Sequence, residues 1–95
     1  MYRALVVDDV DAIRYSIAAQ VDDLPVPVNV AGTAGNGKMA LEWLNTYYAD
    51  ICITDIRMPV IDGLELIKKI RERFPWMASL VISSYDDFSY ARSSI

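Results

Sequence analysis

The residues able to do chemistry in this sequence are two acidic positions and a hydroxyl pair: Asp8-Asp9, Asp55 and Ser83-Ser84. Each stands at the end of a short apolar run rich in β-branched residues, at 3–7, 51–54 and 80–83. Such runs read as buried parallel strands. Open α/β sheets place their chemistry in the crevice beyond the carboxyl ends of the strands. All those ends lie on one edge of a parallel sheet, so three positions far apart in sequence meet in one cleft. A lone strand-end aspartate or serine is most often a turn former; three such positions converging on one edge favour a site. Crowded carboxylates repel one another unless a cation sits among them. Hard oxygen ligands select Mg²⁺ or a similar ion, which keeps some of its own waters. A metal-neutralised carboxylate beside a hydroxyl and backbone N–H groups is a phosphoryl acceptor. Asp55 would attack, the metal would offset charge on the phosphoryl oxygens, and Ser83 with the Ser84 amide would bind a third oxygen.

The elements that must position these residues follow from periodicity. Residues 10–24 carry Ile13, Ile17, Val21 and Leu24 at helical spacing, and Pro25 and Pro27 end the run. Residues 28–34 alternate as a second strand, and Gly35-Asn36-Gly37 forms a turn. A second helix spans 38–48, with Met39, Ala40, Trp43, Leu44 and Tyr47 as its apolar face. Pro59 and Asp62-Gly63 force a loop after Asp55, then a third helix runs over 64–74 on Leu64, Ile67 and Ile70. A fourth helix begins at 88–95. Strands alternating with helices give an α/β fold: a doubly wound parallel sheet with right-handed crossovers.

Composition narrows the function. The chain has 95 residues, 54% of them hydrophobic, which bounds it to one domain with a real core. A net charge of −4 without a basic run argues against a direct nucleic-acid surface. With no histidine there is no His-based triad and no phosphohistidine on this chain. The single cysteine, Cys52, sits inside an apolar run and reads as a small buried hydrophobe, consistent with a reducing cytoplasm. No leader-like segment stands out, and no apolar stretch approaches the ~20 residues that span a bilayer. One decoy is present. Residues 32–39, GTAGNGKM, nearly match the P-loop, but Met39 stands where a metal-binding hydroxyl is required.

The same residues carry a family resemblance. Val6-Val7-Asp8-Asp9, Gly35-Asn36-Gly37, the block Thr54-Asp55-Ile56-Arg57-Met58-Pro59 with Asp62-Gly63, and Val81-Ile82-Ser83-Ser84 together resemble the receiver domain of two-component response regulators. The match runs in order along the whole chain, and residues 84–91 are similar to receivers that precede an AraC-type helix-turn-helix domain. The resemblance implies a flavodoxin-like sheet in the order 2-1-3-4-5. It makes Asp55 the phosphorylated residue, and Asp8, Asp9, Asp55 and the main-chain carbonyl of Arg57 the ligands of Mg²⁺. Ser83 would be the switch hydroxyl and Ser84 would lend its backbone amide. A sensor histidine kinase would be the phosphodonor, and DNA would be met only through an output domain outside this chain. Phosphoryl transfer would be to the chain itself, in the cytoplasm and with no membrane contact, and not turnover by an enzyme.

The family continues with a fifth strand, a lysine and a fifth helix beyond the position of Ile95. Residues 1–95 are therefore expected to form a receiver incomplete at its C-terminus, with strand order 2-1-3-4. The apolar strand at 80–83 would then be a sheet edge, and exposed apolar edges recruit other strands. The expected consequence is either self-association through that edge or through 88–95, or a stability well below that of a full receiver. The alternative function is a non-signalling interaction module built on the same fold.

Overall fold

The computed structural model describes residues 1–82. Strands and helices alternate: β1 Tyr2–Val7, α1 Asp11–Asp22, β2 Val28–Ala34, α2 Gly37–Thr46, β3 Ile51–Asp55, α3 Gly63–Arg73 and β4 Ala78–Ile82. The four strands pair in parallel in the order β2-β1-β3-β4. This is the doubly wound, flavodoxin-like arrangement expected from the sequence. β4 starts two residues before the expected 80, while the helix expected at 88–95 lies outside the described residues.

β1 is sandwiched between β2 and β3, and both its faces are buried, which is why it reads as a continuous apolar run. Leu5 and Val7 join Ala40, Leu41 and Leu44 of α2 and Leu66 and Ile70 of α3 in one core. Ala4 and Val6 join Ile53 and Val21 on the opposite face, beneath α1. Each fully buried side chain of this size contributes about 1.5–3 kcal/mol.

The expected stripes of α1 and α2 hold in part. In α1 Val21 is buried and Ile17 packs against the core as expected, Arg14 is buried too, and Ile13 and, past the helix end, Leu24 are about half exposed. In α2 Leu41 is buried while Met39 and Tyr47 face outward. The helix starts have distinct causes. Asn36 caps α2 by accepting from the Met39 N–H at 2.8 Å, and Asp62 caps α3 by accepting from the Glu65 N–H at 2.8 Å. The N-cap of α1 is Val10, which has no capping side chain. Lys68, Arg71 and Arg73 are exposed on α3 and Lys69 is half-buried.

At the amino end of the sheet, Asp50 ties β1 to β3. It accepts from the Arg3 N–H and from the Tyr48 hydroxyl, each at 2.7 Å. Those two donors hold its carboxyl below the ordinary carboxylate range. Burial pushes the Cys52 thiol up to about 12, in agreement with its reading as an inert core residue.

Gly63 permits the close join of β3 to α3. Its N–H bonds the Ile56 carbonyl at 2.6 Å, and a methyl group there would overlap the Asp55 carbonyl. Gly63→Ala is therefore expected to destabilise the fold by about 3 kcal/mol, read as a lowered midpoint in urea. A midpoint equal to that of the unaltered chain would show that the join relaxes freely.

Candidate metal centre

The register of the sheet brings the acids together. Val7 of β1 is level with Thr54 of β3, so the next residues, Asp8 and Asp55, leave the sheet side by side. One carboxylate oxygen from each of Asp8, Asp9 and Asp55 falls within 4.8 Å of the others. Asp8 is buried, Asp55 half-buried and Asp9 exposed, so the cluster is anchored at one side and open to solvent at the other.

Asp8 is gripped through its whole length. Its N–H donates to the Ala34 carbonyl at 3.2 Å, at the end of β2. Its Oδ1 accepts from the Val10 N–H at 2.9 Å, an Asx-type turn that leads into α1. Its main-chain carbonyl accepts from Nη1 of Arg14 at 2.9 Å. Asp55 ends β3, and its Oδ1 accepts from the Ile56 N–H at 2.8 Å. The buried Thr54 hydroxyl donates to the Asp55 carbonyl at 2.9 Å, which fixes the strand end.

The loop after Asp55 is held down by buried Ile56 and Met58. Between them Arg57 is exposed, and with Met58, Pro59, Val60 and Asp62 it lines an open cleft of about 400 Å³. Val60 has φ 69° and is 94% exposed. The Ile61 N–H donates to the Pro59 carbonyl at 2.9 Å across it, a three-residue turn of the rare, strained hand. A β-branched residue in that region costs about 1–3 kcal/mol, and such strain concentrates at functional sites.

The donor set fits a hard divalent cation: oxygen only, formally three negative charges, and a spacing that an ion can bridge directly or through one of its own waters. Of the residues singled out in the sequence, Asp8, Asp9 and Asp55 meet, and Arg57 lies exposed in the loop two residues after Asp55. Ser83 and Ser84 lie outside the described residues. Sequence reasoning missed Arg14. Its signal was its place one helical turn beyond Asp11 and seven residues before the inward Val21.

The near-P-loop does not form a phosphate cradle. Gly32 lies within β2 against the Trp43 indole, and only Gly35 and Asn36 separate β2 from α2. Lys38 instead lines a cavity of about 190 Å³ with Asp9, Asn36 and Val60.

The family model described as "Response regulator receiver domain" matches residues 4–95. The chain belongs to the response regulator receiver domain family. Its receiver sequence is 35% identical to the transcriptional regulatory protein YesN of Bacillus subtilis over 95 residues, which is all of this chain and 26% of that protein. It is 33% identical to the DNA-binding transcriptional regulator NtrC of Escherichia coli over 89 residues, 94% of this chain and 18% of the regulator. The receiver chain thus spans about a quarter or less of these relatives. Among solved structures, it superimposes on the REC domain of AraT from Geobacillus stearothermophilus with a TM-score of 0.85 at 35% identity, covering 98% of this chain and 72% of the other. For a two-component transcriptional regulator AraC from Clostridium phytofermentans the TM-score is 0.82 at 28% identity, with 100% of this chain and 74% of the other covered.

If the three acids share a cation, Asp9→Ala and Asp55→Ala should each weaken Mg²⁺ binding by more than about tenfold, since even residues behind metal ligands cost that much. A Mg²⁺ titration followed by NMR, or by the fluorescence of Trp43 and Trp76, measures this. Unchanged binding in both variants would place the metal elsewhere.

Proposed function

We propose that this receiver accepts a phosphoryl group on Asp55 from a phosphohistidine of a sensor histidine kinase, with Mg²⁺ bound at Asp8, Asp9, Asp55 and the main-chain carbonyl of Arg57. The observation that carries the reading is the convergence of three carboxylates at the carboxyl edge of the sheet in a chain of this family. When bound, Mg²⁺ would supply neutralisation of negative charge on the transferring oxygens. The chain's own contribution is positional. Asp55 is fixed at a strand end with one oxygen taken by the Ile56 N–H, which orients the carboxylate for attack. An Asp55 oxygen bonds to phosphorus as the phosphorus–nitrogen bond breaks, and the imidazole leaves with the electron pair. Exposed Asp9 and the open side of the cluster leave room for the donor to approach. Ser83 as switch hydroxyl and Ser84 through its amide complete the proposed site.

In this reading residues 1–95 belong to one receiver domain that works in the cytoplasm, and its only phosphoryl transfer is to itself. Likeness to regulators of the AraC and NtrC types supports transcriptional output, with DNA bound through a separate output domain. With a small phosphoramidate donor and Mg²⁺, the chain is expected to gain one hydroxylamine-sensitive phosphoryl group, and Asp55→Asn to gain less than about a hundredth as much. Mass spectrometry reads both. Equal labelling of Asp55→Asn, or none in the unaltered receiver within a longer chain, would overturn the assignment.

A second reading, that of an interaction module, draws on one observation. Ile13, Ile17, Leu24, Ile53, Leu80 and Ile82 line an apolar groove of about 790 Å³ between α1 and β4. Leu80 is 54% exposed, and β4 is an edge strand among the described residues. Burial of these side chains against a second copy is worth about 25 cal/mol per Å². Sedimentation is then expected to show concentration-dependent dimers, shifted to monomer at least tenfold further in the double variant Leu80→Lys, Ile82→Lys. A chain that stays monomeric at every concentration would remove this reading.

A further inference from the structure

Arg14 is a cation at an inward position of α1. It is only 8% exposed, and it shares the buried side of the helix with Val21. A buried charge is expensive unless every part of it is paired. Here the pairing is incomplete: Nη2 donates to Oδ1 of Asp11 at 2.7 Å, and the guanidinium carbon lies 4.9 Å from the centre of the Tyr15 ring, but buried Nε has no hydrogen-bond partner among the described residues. Core packing alone would be served better by an apolar side chain. Among the described residues, the buried bond the guanidinium makes is from Nη1 to the carbonyl of Asp8, at 2.9 Å.

That carbonyl belongs to the peptide joining Asp8 to Asp9. The plane of this peptide sets ψ of Asp8 and φ of Asp9, and so the directions in which both carboxylates leave the backbone. The other grips on Asp8 act elsewhere: its N–H is held by Ala34 and its Oδ1 by the Val10 N–H. The first leaves the peptide that follows free, and the second closes an Asx turn around it, so the Arg14 bond to the carbonyl is what holds its oxygen side.

We infer that Arg14 is a positioning residue for the metal centre: its guanidinium locks the Asp8-Asp9 peptide so that both carboxylates turn toward Asp55. The inference rests on the Mg²⁺ reading proposed above. It makes a claim about sign. A cation beside a cation site repels the incoming ion, so if Arg14 acted only through its charge, removing it would tighten Mg²⁺ binding. If it acts by positioning, removing it loosens binding despite the lost repulsion.

Arg14→Met keeps the aliphatic stem and removes the guanidinium. Arg14→Lys keeps the charge and loses the planar fork that reaches Asp8 and Asp11 together. Mg²⁺ titrations of the chain, followed by amide resonances, are expected to show affinity about tenfold weaker in Arg14→Met and weakened by a smaller factor in Arg14→Lys. The Val10 amide resonance should shift in both before Mg²⁺ is added, because its acceptor is the Asp8 carboxylate. Folded Arg14→Met that binds Mg²⁺ as tightly as the unaltered chain, or more tightly, overturns the inference. Should Arg14→Met fail to fold, Arg14→Lys decides: a lowered melting temperature with unchanged Mg²⁺ affinity marks a merely structural role and also overturns it. If the unaltered chain itself binds no Mg²⁺ that Asp55→Ala abolishes, the metal reading falls and takes this inference with it. Loss in the Asp55 variant without loss in the Arg14 variants sinks the positioning role alone.

Discussion

Like charges gathered at one edge of the sheet set the main constraint on this molecule. Carboxylates at this spacing would turn away from each other on a loose chain, and what opposes that is backbone geometry. β1 lies between two partners, so its end cannot shift without breaking two ladders. Asp8 is bonded at its amide, its carbonyl and its side chain. Gly63 lets α3 begin directly against the Asp55 carbonyl. In a parallel sheet with helical crossovers, the helix N-termini also collect at this edge, and their partial positive charge offsets some of the repulsion. The fold thus supplies the order that a bound ion would otherwise have to impose.

The loop after β3 shows the same economy on a smaller scale. Ile56 and Met58 sink into the protein on either side of Arg57, and Pro59 follows. With both flanks pinned, the three-residue turn at Val60 has little freedom to relax, and a strained backbone persists where a glycine would sit without strain. The exposed Val60 side chain buries nothing in return, so its conformation is imposed by its neighbours and not by its own packing.

The alternation of apolar runs with helical spacing was enough to read a parallel sheet and the meeting of Asp8, Asp9 and Asp55 at one edge, because both follow from topology; the strand order came with the family resemblance. Phase was less legible. Apolar residues at 13, 17, 21 and 24 suggest one inward stripe for α1; Ile17 and Val21 do pack on the core, but Ile13 and Leu24 border an open groove and Arg14 is buried as well. A polar group took the inward place because a main-chain carbonyl awaited it, and no periodicity count includes a carbonyl. In α2 Ala40, Trp43 and Leu44 pack inward as read, while Leu41 joins them and Met39 and Tyr47 at the two ends of the face do not; Trp43 settles over the bare Gly32. The β4 start at Ala78 was hidden because Ala and Ser are weak strand formers, and only pairing with Ile51 and Cys52 recruits them.

Cys52 is the second residue of β3, fully buried, on the strand that ends in Asp55. Its thiol is the only one in the chain, and burial keeps it protonated at any physiological pH. Alkylating reagents attack thiolate, so labelling of the native molecule waits until β3 leaves the sheet. The rate of that labelling is a built-in clock for opening of the central strands, and it reads the stability of the scaffold beneath the acids without a probe having to be introduced.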